Sequence, residues 1–291
     1  MTLPDVSLCT IAFADGGRVP ALGLGTWRMG ERGAARATEE ASLRHALERG
    51  VRLFDTAEMY GDGGAESVLG AALGAAMRAR DVARESLFIV SKVLPQNGDA
   101  AGVVAACDAS RRRLGLDVID LYLLHWRGGV PLAQTLAGFE RLLARGHVRR
   151  VGVSNFDVDD LDEWTALTGG ARCDANQVWY SLGERGPEHA LIPWQRRHGV
   201  PLMAYCPLDQ GALARHAALR GVGERHGAAA ATVALAWLLG QPGVIAIPKA
   251  VQPQHLDDVL AAPRLRLEDD DHAALARAFP APTRRRPLAM R

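Results

Sequence analysis

Short apolar runs alternate along the chain with longer stretches whose apolar positions recur every three to four residues. The runs ALGLGTW (21–27), RLFDTA (52–57), LFIVSKV (87–93), VIDLYLLH (118–125), RRVGVSN (149–155), DANQVWY (174–180), PLMAYCP (201–207) and GVIAIPK (243–249) predict strands. They are apolar on nearly every position, as strands covered on both faces are. Between and after them, TEEASLRHALERG (38–50), AESVLGAALGAAMRAR (65–80), VVAACDASRRRLG (103–115), LAQTLAGFERLLARG (132–146), residues 158–167, HALIPWQRRHG (189–199), ATVALAWLLG (231–240) and residues 254–260 predict helices. Eight strand–helix repeats in 291 residues are the arithmetic of a (β/α)8 TIM barrel. The alternative, an open doubly wound sheet, needs a glycine-rich dinucleotide turn. GLGTWRMG (23–30) has the first two glycines of GxGxxG but Arg28 in place of the third. Ahead of the first run, VSLCTIAFADGGRVP (6–20) carries two short apolar runs around Asp15-Gly16-Gly17, which predicts a β-hairpin closing the N-terminal end of the barrel. No linker or low-complexity tract interrupts the pattern, so the reading is one domain, 1–291, ending in a short tail after Phe279.

Composition narrows the function classes. A net charge of +1 gives no footprint for nucleic acid or an anionic membrane. No apolar run approaches a bilayer span, and MTLPDVSLCT has no basic and apolar leader pattern. Cys9, Cys107, Cys173 and Cys206 form no CxxC pair, which points to reduced thiols and a cytoplasmic protein without a metal site. Of the 34 basic residues only Lys92 and Lys249 are lysine. Lysine is a compact charge whose pKa moves on burial, whereas arginine is a broad fork that stays charged. Both lysines fall at the C-terminal ends of predicted strands, the end of such a barrel where chemistry sits.

The same rim receives Asp55 after the second strand, Tyr60 in the loop that follows, Lys92 closing the third strand and His125 closing the fourth. Singly, each has a bland explanation: a loop cap, a packed phenol with a wet hydroxyl, a hydrogen-bonded core histidine. Together, three consecutive strands ending in ionisable groups require partners, because a buried charge without one is costly.

The chain resembles the aldo-keto reductases from about residue 11 to 280. DTAEMYG (55–61), SK (91–92), LLHW (123–126), GVSNF (152–156), NQV (176–178), AYCPL (204–208) and IPKA (247–250) match motifs of that family in order. DTAEMYGDGGAE (55–66), with the short ending, is most similar to bacterial members described as methylglyoxal reductases. The resemblance implies reduction of small aldehydes, dicarbonyls or ketones, with Tyr60 as general acid, Lys92 lowering its pKa, Asp55 holding the lysine and His125 orienting the carbonyl. It implies NADPH, with NADH as a possible substitute, held by Thr26, Asp55, Ser154, Asn155, Gln177, Tyr205, Leu208, Lys249, Ala250 and His255. Ser154, Asn155 and Gln177 match the carboxamide partners, Tyr205 the ring that stacks on nicotinamide, and residues 208–213 the loop near the pyrophosphate. Lys249 matches the contact to the 2′-phosphate, beside a helix beginning near Pro253. The family often has serine after this lysine, with an arginine and an asparagine further on. Here Ala250, His255 and Val259 stand at those places. Trp27, Tyr60, His125 and Trp126 match substrate-facing positions. The partner implied is a small carbonyl compound, and the protein a monomer. The short tail implies an open pocket, with Arg284 to Arg286 read as a solvated charge run. Two other classes stay open at this stage. One is a Schiff-base aldolase using Lys92, a role that Asp55 opposes by raising the amine pKa. The other is a cofactor-binding regulatory subunit without turnover.

Overall fold

Two three-residue antiparallel strands, β1 (Thr10–Ala12) and β2 (Arg18–Pro20), open the chain in the computed structural model, which describes residues 9–168 and 173–291. They are the expected hairpin, turned through Asp15 and Gly16; residues 6–8 of that expectation lie outside the described residues. Eight parallel strands follow: β3 (Leu24–Gly25), β4 (Leu53–Asp55), β5 (Phe88–Val93), β6 (Ile119–Leu124), β7 (Val148–Ser154), β8 (Asn176–Trp179), β9 (Leu202–Tyr205) and β10 (Val244–Ala246). Each pairs with its sequence neighbour. The ring closes between its ends through a parallel bridge of Leu22 to Ala246 and the bonds Gly23 N–H to Ala246 O and Gly25 N–H to Pro248 O. Closure removes the open doubly wound alternative.

The helices α1 (Arg36–Glu48), α2 (Gly64–Ala79), α3 (Ala100–Leu114), α4 (Leu132–Ala144), α5 (Val158–Thr168), α6 (Leu191–His198), α7 (Ala217–His226), α8 (Ala230–Leu239), α9 (Pro253–Ala261) and α10 (Asp269–Ala278) form the outer layer. α7 and α10 escape the sequence pattern because each buries only two or three residues: Leu219, Val222 and Gly223 in α7, Asp271 and Leu275 in α10. The first and last predicted strands shrink to their central residues. Their flanks bond to neighbours without a regular ladder: Thr26 N–H reaches Asp55 O, and Ile247 N–H reaches Ala204 O.

Strand parity explains how this frame makes a site. Side chains of a strand alternate between its faces. Phe54, Ile89, Tyr122, Leu124, Val153, Val178 and Ala204 face the helices in one large apolar layer. Leu53, Val90, Leu121, Leu123, Ala175, Met203 and Ile245 fill the barrel interior, and Phe13 and Val19 of the hairpin plug its N-terminal end. Two residues further along the same inward columns come Asp55, Lys92, His125, Gln177 and Tyr205. The apolar floor and the polar rim are therefore successive layers of one alternation. Gly152 serves this packing directly: a Cβ there would lie 2.3 Å from Ala175 O, so β7 approaches β8 closely only because position 152 has no side chain.

Candidate active site

At the C-terminal rim the inward layer becomes polar and a cavity of about 520 Å³ opens above it. Lys92 lies beneath its wall, 0% exposed, and its three ammonium donors are all used: Asp55 Oδ2 at 2.7 Å, Thr56 O at 2.8 Å and Tyr60 Oη at 3.2 Å. Asp55 is held from its other side by Gln177 Nε2 at 2.7 Å. The carboxylate thus bridges the ammonium and an amide, while the ammonium touches the phenol. Tyr60 lines the cavity in the loop after β4, with His125 edge-on to it at 5.7 Å between ring centroids. The four residues expected to act together are brought together.

Their proton affinities follow from burial. Desolvation pushes the Tyr60 phenol well above its ordinary value, and the Asp55 carboxylate pushes it further. In the free protein the phenol therefore keeps its proton, with the Lys92 ammonium 3.2 Å from its oxygen. Burial lowers the Lys92 ammonium, opposed by Asp55. Burial, then the Lys92 charge, holds His125 well below the ordinary imidazole value. The ring is neutral, and its Nδ1 is enclosed without a partner among the described residues. A bare Nδ1 acceptor costs less there than an unpaired N–H, so the proton belongs on Nε2.

Next to this group, Ser154 Oγ donates to Gln177 O at 2.8 Å, and Asn155 Nδ2 donates to His125 O and Ser154 Oγ, both at 3.1 Å. Tyr205 Oη donates to Asn155 Oδ1 at 2.9 Å. Asn155 has φ +59°, a conformation asparagine tolerates better than most residues. The loop after β9 holds three more left-handed residues, Cys206, Asp209 and Gln210, of which Cys206 and Gln210 line the cavity. Asp209 is pinned by Trp179 Nε1 at 2.8 Å and Ser181 Oγ at 2.9 Å.

Of the remaining expected residues, Trp27, Leu208, Lys249 and His255 line the cavity, His255 near the start of α9. Three do not. Thr26 is fully buried and spends its hydroxyl on Asp55 O. Ala250 is buried and offers its carbonyl to Ser42. Trp126 packs on His125, 5.0 Å between centroids, and does not line the cavity. The sequence reading omitted Arg28, Met59, Cys206, Asp258 and Arg291, which also line the cavity. Arg28, stacked on Trp27 at φ +63°, is the missing third glycine of the failed dinucleotide motif, and its neighbour was already singled out. Met59 sits between two noted positions, whereas nothing local in the sequence marks Asp258 or Arg291.

The cavity fits a dinucleotide by its chemistry. Arg28 and Lys249 both face it, and neither forms an ion pair among the described residues, so cations are available for phosphates. Ala229, Ala230 and Ala231 keep part of the wall low, and Ser154, Asn155 and Gln177 supply amide and hydroxyl groups at the other end. No group of three or more His, Cys, Asp or Glu residues could hold a metal ion among the described residues.

Residues 21–279 match the profile of the Aldo/keto reductase family. The chain is 44% identical to the methylglyoxal reductase YeaE of Escherichia coli K12 over 285 residues, covering 96% of this chain and 98% of that one. It is 34% identical to a glyoxal reductase of Bacillus subtilis, over 85% of this chain and 84% of that one. Its fold superposes with a TM-score of 0.90 on an aldo/keto reductase from Klebsiella pneumoniae crystallised with NADP and acetate. That protein is 42% identical, and the match covers 97% of this chain and 99% of that chain. A second Klebsiella pneumoniae structure, in complex with NADPH, matches with the same score and identity, over 97% of this chain and 98% of that one.

Proposed function

The chain belongs to the aldo/keto reductase family and is an NADPH-dependent oxidoreductase that reduces carbonyl groups, and from that premise we propose that it acts on small aldehydes and dicarbonyls such as methylglyoxal, with Tyr60 as the proton donor. The observation that carries the residue assignment is the contact of one buried ammonium, Lys92, with both Asp55 and the Tyr60 hydroxyl.

NADPH, when bound, supplies the hydride. The residues of this chain supply the rest. Tyr60 holds its proton in the free enzyme, so it presents an O–H to a carbonyl oxygen entering the cavity. As negative charge builds on that oxygen the proton moves to it, and the phenolate left behind is stabilised by Lys92 at 3.2 Å. Asp55 keeps the lysine charged and aimed. His125, neutral, donates from Nε2 to the same oxygen. Asn155, braced by His125 O and Tyr205, and Gln177, braced by Asp55, hold the rim that receives the carboxamide end of the nucleotide. Arg28 and Lys249 face its phosphates.

Lys92 as a Schiff-base nucleophile is disfavoured by the same geometry, since an ammonium bonded to three oxygens and sealed from the cavity has no free lone pair to attack with.

The test is the decay of NADPH absorbance with methylglyoxal, with Tyr60→Phe alongside and NADH in parallel. Tyr60→Phe is expected to lose at least ~10²-fold in kcat while the NADPH Kd stays within about twofold, because only the proton donor is removed. Equal loss of binding and turnover would make the tyrosine structural. Lys249→Met is expected to raise the NADPH Kd about tenfold or more and leave the NADH Kd nearly unchanged, as the loss of one charge-assisted phosphate contact predicts. Parallel changes would remove the 2′-phosphate assignment.

A further inference from the structure

The stretch that delivers Asp55 and Tyr60, DTAEMYGDGGAE, ends on an acid, Glu66, that does not line the cavity. Glu66 stands in the first turn of α2 and is fully buried. Its Oε1 accepts from Ser91 Oγ at 2.5 Å, and its Oε2 from Arg113 Nε at 2.6 Å. Ser91 is the residue before Lys92. On β5 it shares the helix side with Ile89 and Val93, while Lys92 faces inward. α2 in turn begins where the Tyr60 loop ends: Ala65 N–H donates to Tyr60 O at 3.1 Å, and Gly64 N–H to Gly61 O at 2.8 Å. One carboxylate therefore joins the strand of the lysine to the loop of the tyrosine from behind. Two glycines make room for its arginine. A Cβ at Gly63 would lie 2.5 Å from Arg113 Cδ, and one at Gly70 would lie 2.5 Å from Arg113 O. A buried ion pair adds little stability over a well-packed apolar pair of similar volume, so stability alone does not account for an acid at this place.

Resting on the reading of Tyr60 as proton donor, we infer that Glu66 is a positioning residue for the reaction: acting through Ser91 and β5, it holds the Lys92 ammonium against the Tyr60 hydroxyl and places a second buried carboxylate behind that ammonium. On the inner side Lys92 meets Asp55 from β4, Tyr60 from the loop and the charge-sensitive His125 after β6. On the outer side stand Glu66 of α2 and its partner Arg113 of α3. Cys107 and Tyr122, the other titratable groups near Glu66, stay neutral because burial raises both. Burial lowers the proton affinity of Lys92, and Asp55, then Glu66, oppose it. Tyr60 is raised well above its ordinary value, so as pH rises the lysine loses its proton first. Without the Glu66 charge part of the opposition is gone, and activity ends at a lower pH.

The test follows kcat with methylglyoxal and NADPH from neutral to strongly alkaline pH, and the NADPH Kd, on the full chain. Glu66→Gln keeps the volume and removes the charge. Its kcat is expected to fall about tenfold and its alkaline limb to move down by about half a unit or more, with the NADPH Kd within about twofold of wild type. Ser91→Ala cuts the tie and leaves the charge, so kcat should fall about threefold or more with the limb in place. Arg113→Lys keeps the charge pair and should keep the wild-type limb. A Glu66→Gln limb at the wild-type pH overturns the inference, whatever the change in kcat. A fall in kcat matched by an equal fall in NADPH affinity overturns it too, as a general loss of structure. If Glu66→Gln does not fold, Ser91→Ala decides alone, and wild-type kcat there overturns the inference. Tyr60→Phe alongside separates the two readings. If it loses turnover, these failures remove the role of Glu66 alone; if it turns over like wild type, the proton-donor reading falls, and the inference with it.

Discussion

Lys92 and His125 are buried ionisable groups with opposite arrangements, one fully bonded and one whose ring has no hydrogen-bond partner among the described residues, and their replacements are expected to fail differently. Lys92→Met leaves Asp55 buried with only the Gln177 amide, so a loss of about 3–5 kcal/mol in unfolding free energy is expected by urea titration, together with the loss of activity. Lys92→Arg keeps the charge but not its position, since a planar fork cannot meet Asp55, Thr56 O and Tyr60 from one atom; kcat should fall about 10²-fold or more with a smaller stability loss. His125 gives a pH signature. Its folded pKa lies well below the ordinary 6.5, so below that pH the unfolded chain takes up a proton that the folded chain refuses. Stability contributed by the neutral ring is present above pH 6.5 and is lost as pH falls toward the folded pKa, at no more than about 1.4 kcal/mol per unit. Between pH 7 and pH 5.5 the wild type should therefore lose about 1 kcal/mol more than His125→Gln; equal losses would place the imidazole proton elsewhere.

At the scale of elements, the strand pattern was legible because its period is short and its runs are apolar on both faces. The rim residues were legible because each interrupts such a run at its end. What the sequence hid is what depends on contacts distant along the chain. Thr26 and Ala250 stand at matching positions, yet their polar groups are taken by Asp55 O and Ser42. Trp126 follows the histidine and packs on it without lining the cavity. The burial that raises the phenol's pKa is likewise a matter of enclosure, which spacing along the chain does not report. Asp258 and Arg291 reach the cavity from α9 and the tail, with no local pattern to mark them. Gly152 shows how narrowly two elements are fitted. Gly152→Ala would force β7 from β8 just before the Ser154 and Gln177 pairing, so a loss of about 1–3 kcal/mol and a raised Kd for NADPH are expected together. A stability loss with unchanged nucleotide affinity would mean the strands shift below the rim and leave it intact.

Across the whole molecule, the two ends of the barrel divide the labour. The N-terminal end is closed by the hairpin, where Phe13 stacks on Phe88 at 5.7 Å and carries the Arg150 guanidinium on its ring. Phe13→Ala should cost about 3–5 kcal/mol and lower the Tm while kcat and KM stay near wild type at temperatures where the protein remains folded; a matching loss of kcat would show that the plug and the rim are coupled. The C-terminal end holds the chemistry, and there the depth of Lys92 has a consequence for the durability of the catalyst. Aldehydes and dicarbonyls condense with exposed amines, so an enzyme that gathers such electrophiles exposes its own nucleophiles to them. Of the two amines at the site, Lys249 is exposed at the nucleotide end, whereas Lys92 is sealed beneath Tyr60 and tied to three oxygens. If such a carbonyl compound is the substrate, adduct formation is expected first on Lys249 and the solvent-facing arginines, leaving the contact of Lys92 with Asp55 and Tyr60 intact.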